Sequence, residues 1–451
     1  MNLARIAIKS IRQRALASSL TALSVALGVM LMVAVLVIFG VVQRTFSQRS
    51  FGYEIVIGPK GSDLQLVLST IYRLTPAIDT LPYKYYLEIE KDPRVRDAVP
   101  ITVGDFTEEG GFPIVGTNKK YFELPYAPEP DKTFQFYDDS EVMRDPFDAI
   151  IGSEVAKTNG WTFGSQFQLV HGGAESDHVH DEKFTVVGIL APTGTPNDKT
   201  VFLHLNGFFA IAGHDKTLRE VLQKDRDFFG PNADNAPLDD PEWLRTQGGR
   251  HAHHHGPMPD LHKSVSAIFV NVVRPEGAER FGASTLAILF KNEISTGLQA
   301  QAINPIQPMN TLMENFVGPT RILLSVLTGL IIVVSGVGIF VSIYNSMSDR
   351  RREIAVMRAL GAQRRTVFSI ILAESVILCV AGGLLGALLG HLLVFVAAPI
   401  VESYTGLLID PLTFEPVELA LLPALIALAS LVGIVPGLTA YRTDVAKTLA
   451  E

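Results

Sequence analysis

Two clusters in this sequence carry residue types suited to binding chemistry. Ten of the eleven histidines fall between His171 and His262. The string HGGAESDHVHDE sets His178 and His180 beside Asp177, Asp181 and Glu182. The string HAHHHGPMPDLH supplies His251, His253, His254, His255 and His262. Neutral imidazole binds zinc, nickel or copper(II) well, and adjacent carboxylates can complete a shell. These residues are the candidate ligands for zinc or another divalent metal. A solvated loop with incidental metal affinity has the same composition, so that alternative stays open. No HExxH string accompanies the histidines, which argues against a zinc peptidase. No Ser/His/Asp set can be placed together either, so no catalytic residue is assigned.

The second cluster is SMSDRRREIAVMRALGAQRRTVF, Ser346–Phe368, with six arginines between two long apolar runs. RRREIAVMRAL has strong helix formers and no Gly or Pro. Ile354, Met357 and Leu360 recur at three-residue spacing as a narrow apolar ridge, with Arg351 and Arg358 a heptad apart on another side. Glu353 is placed to pair with a neighbouring arginine. Gly361 can end the helix in a left-handed conformation. A short helix of this kind suits docking into a groove on a soluble partner. A topology-setting loop that happens to be helical is the plainer alternative.

What must position these clusters is a membrane. The chain has 451 residues, 47% hydrophobic and 19% charged, with a positive mean hydropathy. That fits a mixture of membrane and water-soluble parts. Four apolar segments reach the roughly 20 residues a bilayer span needs. The division expected is an amphipathic cytosolic helix over 1–16, a first span over 17–43, an extracytoplasmic domain over 44–318 and a second span over 319–345. A cytosolic coupling helix over 346–366, a third span over 367–400, an external loop over 401–416, a fourth span over 417–440 and a cytosolic tail over 441–451 complete it. The first apolar run is too long for a signal-peptide core and has no cleavage site, so it reads as a retained anchor. Arg5, Lys9, Arg12 and Arg14 precede the first span, six arginines lie between the second and third, and Arg442 and Lys447 follow the fourth, while the loop between the third and fourth has no Lys or Arg; this places both termini and the arginine turn in the cytoplasm. The opening helix suits the inner membrane surface, or serves only as a charged flank.

Charge agrees with this division. Residues 44–318 hold 25 Lys+Arg and 37 Asp+Glu, a balance of −12, and the remainder holds 13 and 9, or +4. The acidic domain offers no basic surface for nucleic acid. The lone cysteine, Cys379, sits in an apolar run and permits no disulfide framework. Gly382, Gly386 and Gly390 form a stripe that lets another helix approach closely. The large domain reads as mixed α/β. YEIVIG, FPIVG, FQLV, FTVVGIL, TVFLHL and SAIFVNVV are strand-like. LPYKYYLEIEKDP and HDKTLREVLQKDRDFF are helical, a further helix near Met309–Phe316 leads into the second span, and Gly230–Pro259 is a surface loop without periodicity.

RRREIAVMRALGAQRRTVFSIILAES resembles the signature of the FtsX-like permease family of ABC transporters. The form R-x-E-I-x-x-x-R-A-L-G-A falls on Arg351 (or Arg352), Glu353, Ile354, Arg358, Ala359, Leu360, Gly361 and Ala362, with Glu374 in the following helix. NLARIAIKSIRQRALASSLTALSVALGV, DAIIGSEVAKTNGWTFGSQFQLV, FTVVGILAPTGTPNDKTVFL and GIVPGLTAYRTDVAKTLAE are similar to other parts of the family. The span order is that of the branch with the macrolide exporter and the lipoprotein-releasing permeases. The His-rich insertion departs from that pattern, so the resemblance does not extend to substrate.

The resemblance implies a non-catalytic, multi-pass permease subunit in a bacterial inner membrane, working with a second permease copy as a homodimer or heterodimer. A separate cytosolic ABC ATPase, carrying ATP and Mg, would push the coupling helix, with Ile354, Met357 and Leu360 in its groove and Arg351 and Arg358 at the rim. The motion would reach the external domain by mechanotransmission, without a channel. The cargo expected is an amphiphile, a lipoprotein or a metal-linked substrate, with a periplasmic cargo or adaptor protein as a further partner. No G-x-x-x-x-G-K-[ST] string occurs, and GPKGSD at Gly58 lacks its spacing. A signalling subunit that switches a periplasmic cell-wall hydrolase is the alternative function, and a membrane-anchored metalloprotein the third.

Overall fold

In the computed structural model the four apolar runs are helices, and each is explained by what surrounds it. The structure describes residues 3–13, 15–46, 52–77, 79–127, 132–137, 143–170, 179–211, 217–230, 236–246, 259–274, 285–359, 361–405 and 413–442. The chain divides into a helical unit, residues 1–46 and 312–451, and a second unit, residues 47–311. The large domain is thus three residues shorter at its start and seven at its end than the span 44–318 expected from charge and hydropathy.

The helical unit begins with α1, Leu3–Gln13, and α2, Ala15–Phe46. It resumes with α3, Gly318–Ala359, then α4, Arg364–Thr405, and α5, Leu421–Arg442. Four helical stretches are long and apolar enough to cross a membrane: Ser18–Gln43, Ile306–Asn345, which starts ahead of α3, Arg364–Val401, and Pro416–Thr439, which starts ahead of α5. Their apolar residues divide between two fates. Val25, Val29, Val33, Ile339, Val367, Ile371, Val394 and Leu425 form one buried cluster. Leu323, Val326, Val334, Leu388, Leu392 and Phe395 are exposed. So many exposed leucines on helices apolar all round fit lipid as the solvent.

One expectation is corrected here. The second span and the coupling helix are not separate elements: α3 is continuous over 42 residues. At 1.5 Å per residue it is ~63 Å long, about twice the hydrocarbon thickness of a bilayer. Nothing between Tyr344 and Arg350 interrupts the helical backbone, because the sequence there has no Gly or Pro to break it.

The second unit is built on a sheet of ten strands among the described residues. Its spine is the strand Val95–Thr107, which pairs antiparallel with Ala267–Val272 through its first half and with Pro113–Thr117 through its second. On one side Ile55–Pro59 and then Ala300–Ile303 extend the sheet. On the other, Val201–His204, Asp148–Ile151, Phe184–Ile189 and Gln166–Phe167 follow in that order. Two of those pairings are parallel, Pro113–Thr117 with Val201–His204 and Asp148–Ile151 with Phe184–Ile189. Ala267–Val272 is buried at every position, as a central strand covered on both faces must be. Phe184–Ile189 alternates buried and half-buried, the pattern of a strand with one covered face. Helices Tyr83–Lys91 and Leu218–Phe229 lie where the sequence indicates, the second opened by a Thr217/Glu220 capping box. The expected loop Gly230–Pro259 contains short helical turns at Ala236–Asp239 and Pro241–Thr246, which the sequence reading missed.

Candidate functional site

The arginine turn is shaped by how α3 ends. The Ala362 amide donates to the Met357 carbonyl at 3.1 Å and the Gly361 amide to the Arg358 carbonyl at 3.0 Å. Gly361 sits at φ +100°. This paired closure, six residues to one outside five to two, needs a left-handed residue at its crossing point. Gln363 then accepts from the Thr366 amide at 3.0 Å through its carbonyl, and α4 starts at Arg364. The Arg364 guanidinium lies 5.7 Å from the Tyr441 ring centre, tying the turn to the end of α5.

Arg351 and Glu353 lie in the last turns of α3, and Leu360 falls outside the described residues. Ile354 is only 3% exposed, within the same buried cluster as Val367 and Ile371, and Met357 packs against that cluster. Two residues of the ridge expected to enter a partner's groove, Ile354 and Met357, are therefore packed inside this chain. The hairpin needs apolar side chains to hold its own helices together, and the three-residue spacing supplies them. Among the described side chains of this turn Val356 and Ala359 are exposed, with Arg358 half-buried and Gly361 exposed beside them.

The glycine stripe has a defined neighbour. A Cβ at Gly382 falls 2.7 Å from the Ala22 carbonyl oxygen, at Gly386 2.5 Å from that of Ala26, and at Gly390 2.8 Å from Val33 Cβ. These distances are too short for any side chain, so the stripe sets how closely α4 meets α2. Ser335 Oγ adds a 3.0 Å bond from α3 to the Ser24 carbonyl of α2. Glu374 is buried within α4.

A polar pair escaped the sequence reading. His391 Nε2 lies 3.0 Å from Glu418 Oε2, joining α4 to the short turn Pro416–Ala420 before α5. Glu418 Oε1 accepts from the Glu415 amide at 2.9 Å, and the Glu415 carboxylate fills the space beside Gly40. Ionisable residues inside membrane segments are kept where they pair. The only signal available beforehand was a single histidine in an apolar run.

His178, His251, His253, His254 and His255 lie outside the described residues. His180 is buried, with Nε2 3.6 Å from Asp105 Oδ2, while His262 closes the short turn Asp260–His262 and is half-exposed. Among the described residues no three His, Cys, Asp or Glu side chains are arranged to hold a metal ion. His180 thus packs into the interior beside the Leu169–Val170 strand, where its amide donates to the Leu169 carbonyl at 2.8 Å.

Comparison with known proteins supplies the rest. Residues 18–227 match the model of the MacB-like periplasmic core domain, and residues 325–445 that of the FtsX-like permease C-terminal region. The macrolide export ATP-binding/permease protein MacB of Rhodopirellula baltica is 29% identical over 130 residues, 29% of this chain and 19% of that protein. The protein of the same name in Bdellovibrio bacteriovorus is 41% identical over 68 residues, 15% of this chain and 10% of that one. The matched part is therefore a fifth or less of the length of these relatives. The crystal structure of the periplasmic region of MacB from Actinobacillus actinomycetemcomitans superposes with a TM-score of 0.31 at 12% identity, over 59% of this chain and 95% of that one. With four apolar helices, an α/β domain following the first of them, and both family models matched in that order, the chain carries a MacB-like periplasmic core domain and an FtsX-like permease C-terminal region.

Proposed function

We propose that this chain is the permease subunit of an ABC transporter of a bacterial inner membrane, with both termini and the arginine turn in the cytoplasm. An ATPase outside these 451 residues, using ATP and Mg, drives it. A second permease copy completes the pair of spans. The observation that carries the reading is the continuity of α3 into the arginine turn and its closure at Gly361. A helix ~63 Å long with no break at the membrane edge moves as one lever. A push on its last turns is passed along the axis instead of being absorbed by a loop. The work delivered is mechanical, acting on cargo at the large domain: an amphiphile, a lipoprotein or a metal-linked substrate. The relatives' names supply macrolide export as a first cargo class to assay.

The contact with the ATPase is made by the exposed side of the turn, Val356 with Arg358, and not by Ile354. Affinity purification of the full chain from native membranes is expected to bring an ATPase with it. Val356→Asp places a charge on an exposed position, so it is expected to leave folding intact and to cut ATPase recovery about tenfold, a change of about 1.4 kcal/mol. Recovery of a cell-wall hydrolase and no ATPase would replace this reading with the signalling one.

A further inference from the structure

The strand Ala300–Ile303 stands at one edge of the sheet, and the helix Thr285–Thr296 leads into it. Ser295 Oγ locks the two together, accepting the Ala302 amide at 3.0 Å and donating to the Ala302 carbonyl at 2.9 Å. Just past the neighbouring strand Ile55–Pro59, Lys60 Nζ donates to the Ser295 carbonyl at 2.5 Å. Asn304 ends the edge strand, with Oδ1 accepting the Ile306 amide at 3.0 Å and its carbonyl the Gln307 amide at 3.2 Å. These segments line a cavity of about 280 Å³, built wholly from residues of the large domain.

The lining is rich in donors. Gln301 is part of it and is only 7% exposed. The Gly61 amide donates to Gln301 Oε1 at 3.2 Å, which fixes which end of the side-chain amide is oxygen. Nε2 is therefore a donor, and it has no acceptor among the described residues. A buried donor left without an acceptor is costly, so its place in a cavity wall asks for a ligand that supplies one. Lys291 is half-buried in the same lining and makes no ion pair among the described residues. Lys60 spends one of its three N–H groups on Ser295. Against these two cations the lining sets a single carboxylate, Asp63, so the net charge is positive. Asn292 and Gln307 add exposed amides, each with a donor and an acceptor side by side. That pairing matches hydroxyl groups, which also both donate and accept.

Size narrows the choice. One water takes about 10–15 Å³ in this measure, so the cavity holds roughly twenty non-hydrogen atoms. An inorganic anion alone would leave most of that space to water. Two ammonium groups act as point charges, which suits phosphate; a planar carboxylate is met best by the fork of an arginine, and the lining has none. Its apolar members, Ala302, Ile303 and Pro308, are too few to hold an acyl chain. We propose that this cavity binds a water-soluble sugar phosphate, the phosphate on Lys60, Lys291 and Gln301 and the hydroxyls on Asp63, Asn292 and Gln307.

Glucose 6-phosphate is the probe, titrated calorimetrically into the full-length protein in phosphatidylcholine nanodiscs. Binding is expected at one site per chain. Glucose, which lacks the charge, and inorganic phosphate, which lacks the hydroxyls, are each expected to bind at least tenfold more weakly. Lys291→Gln removes a cation that holds nothing else among the described residues, so it is expected to fold and to weaken the probe at least tenfold. Gln301→Glu keeps the acceptor for the Gly61 amide and turns the donor into a carboxylate oxygen; it is expected to abolish binding. Should that buried variant fail to fold, Lys291→Gln decides the matter alone. Glucose or inorganic phosphate binding as tightly as glucose 6-phosphate overturns the proposal. So does wild-type affinity in either folded variant, or no binding of the probe at millimolar concentration. The titration needs no ATPase in the sample, so its failure is separate from a failure to recover one.

Discussion

His204 shows how a single side chain can set an acid limit on the large domain. Its Nδ1 accepts the Asn206 amide at 3.2 Å and so caps the helix Leu205–Ala210. Burial holds its pKa below the ordinary histidine value, and Lys263 pushes the same way against Asp148. The folded state therefore binds fewer protons here than the unfolded chain. This contribution to stability is complete above about pH 6.5 and is lost as pH falls through the lower, folded-state value. Protonation also removes the acceptor, and a lost cap costs about 1 kcal/mol. His204→Asn keeps a capping oxygen that does not titrate. Melting curves of the full-length protein between about pH 7.5 and 5 are expected to fall more steeply for the wild type than for the variant; parallel curves would show that the acid sensitivity lies elsewhere. At this scale little was legible beforehand. The sequence flagged histidines by their crowding, yet the ones with a describable role act singly: His204 as a cap, His180 beside Asp105, His391 beside Glu418. Buried Arg73, which donates to Asn197, Thr200 and Tyr121, could not be seen at all, because these partners lie 48 to 127 positions away.

Whole elements were easier to read, and the reason is periodicity. Apolar runs of span length, the Tyr83–Lys91 and Leu218–Phe229 helices and most β-branched runs are local patterns, and they stand where the sequence put them. The strand Val95–Thr107 was missed because Asp97, Pro100 and Gly104 break its pattern, although it is the spine of the sheet. Ala300–Ile303, spelled AQAI, was missed because small and polar residues hide a fully buried strand. Ile354 was misjudged for a different reason. Spacing identifies an apolar face but not what covers it, and here the chain covers its own. The glycine stripe lies close against α2, and it makes a sharp test. Gly386→Ala puts a methyl group 2.5 Å from the Ala26 carbonyl oxygen and 2.7 Å from Val29 Cβ. Backbone cannot give way as a flexible side chain does, so α2 and α4 must separate, at a cost of about 1–3 kcal/mol. Gly329→Ala on α3 meets nothing within 4 Å and serves as the control. Thermal unfolding in nanodiscs is expected to show a lower midpoint for the first variant and an unchanged or slightly higher one for the second, since alanine favours helix over glycine.

For the molecule as a whole, the proposed function demands that a basic turn and an acidic domain face opposite sides of a bilayer. The arginines at the end of α3 and the start of α4 resist translocation, and the membrane potential of a respiring cell adds about 2.3 kcal/mol per charge per 100 mV to that resistance. The large domain has 37 acidic against 25 basic residues over 44–318 and carries no such barrier. The chain's single cysteine makes the arrangement measurable. Cys379 is fully buried in the helical cluster, so background labelling by a maleimide is expected to be low. Glu88→Cys places a thiol on the exposed side of the helix Tyr83–Lys91, and Gln363→Cys places one on the exposed turn between α3 and α4. A membrane-impermeant maleimide added to spheroplasts is expected to label the first variant and spare the second. Inside-out vesicles are expected to reverse the result. Gln363→Cys labelled in intact spheroplasts would put the turn on the same side as the large domain. An intracellular ATPase could then not reach it, and the lever formed by α3 would have nothing to push it.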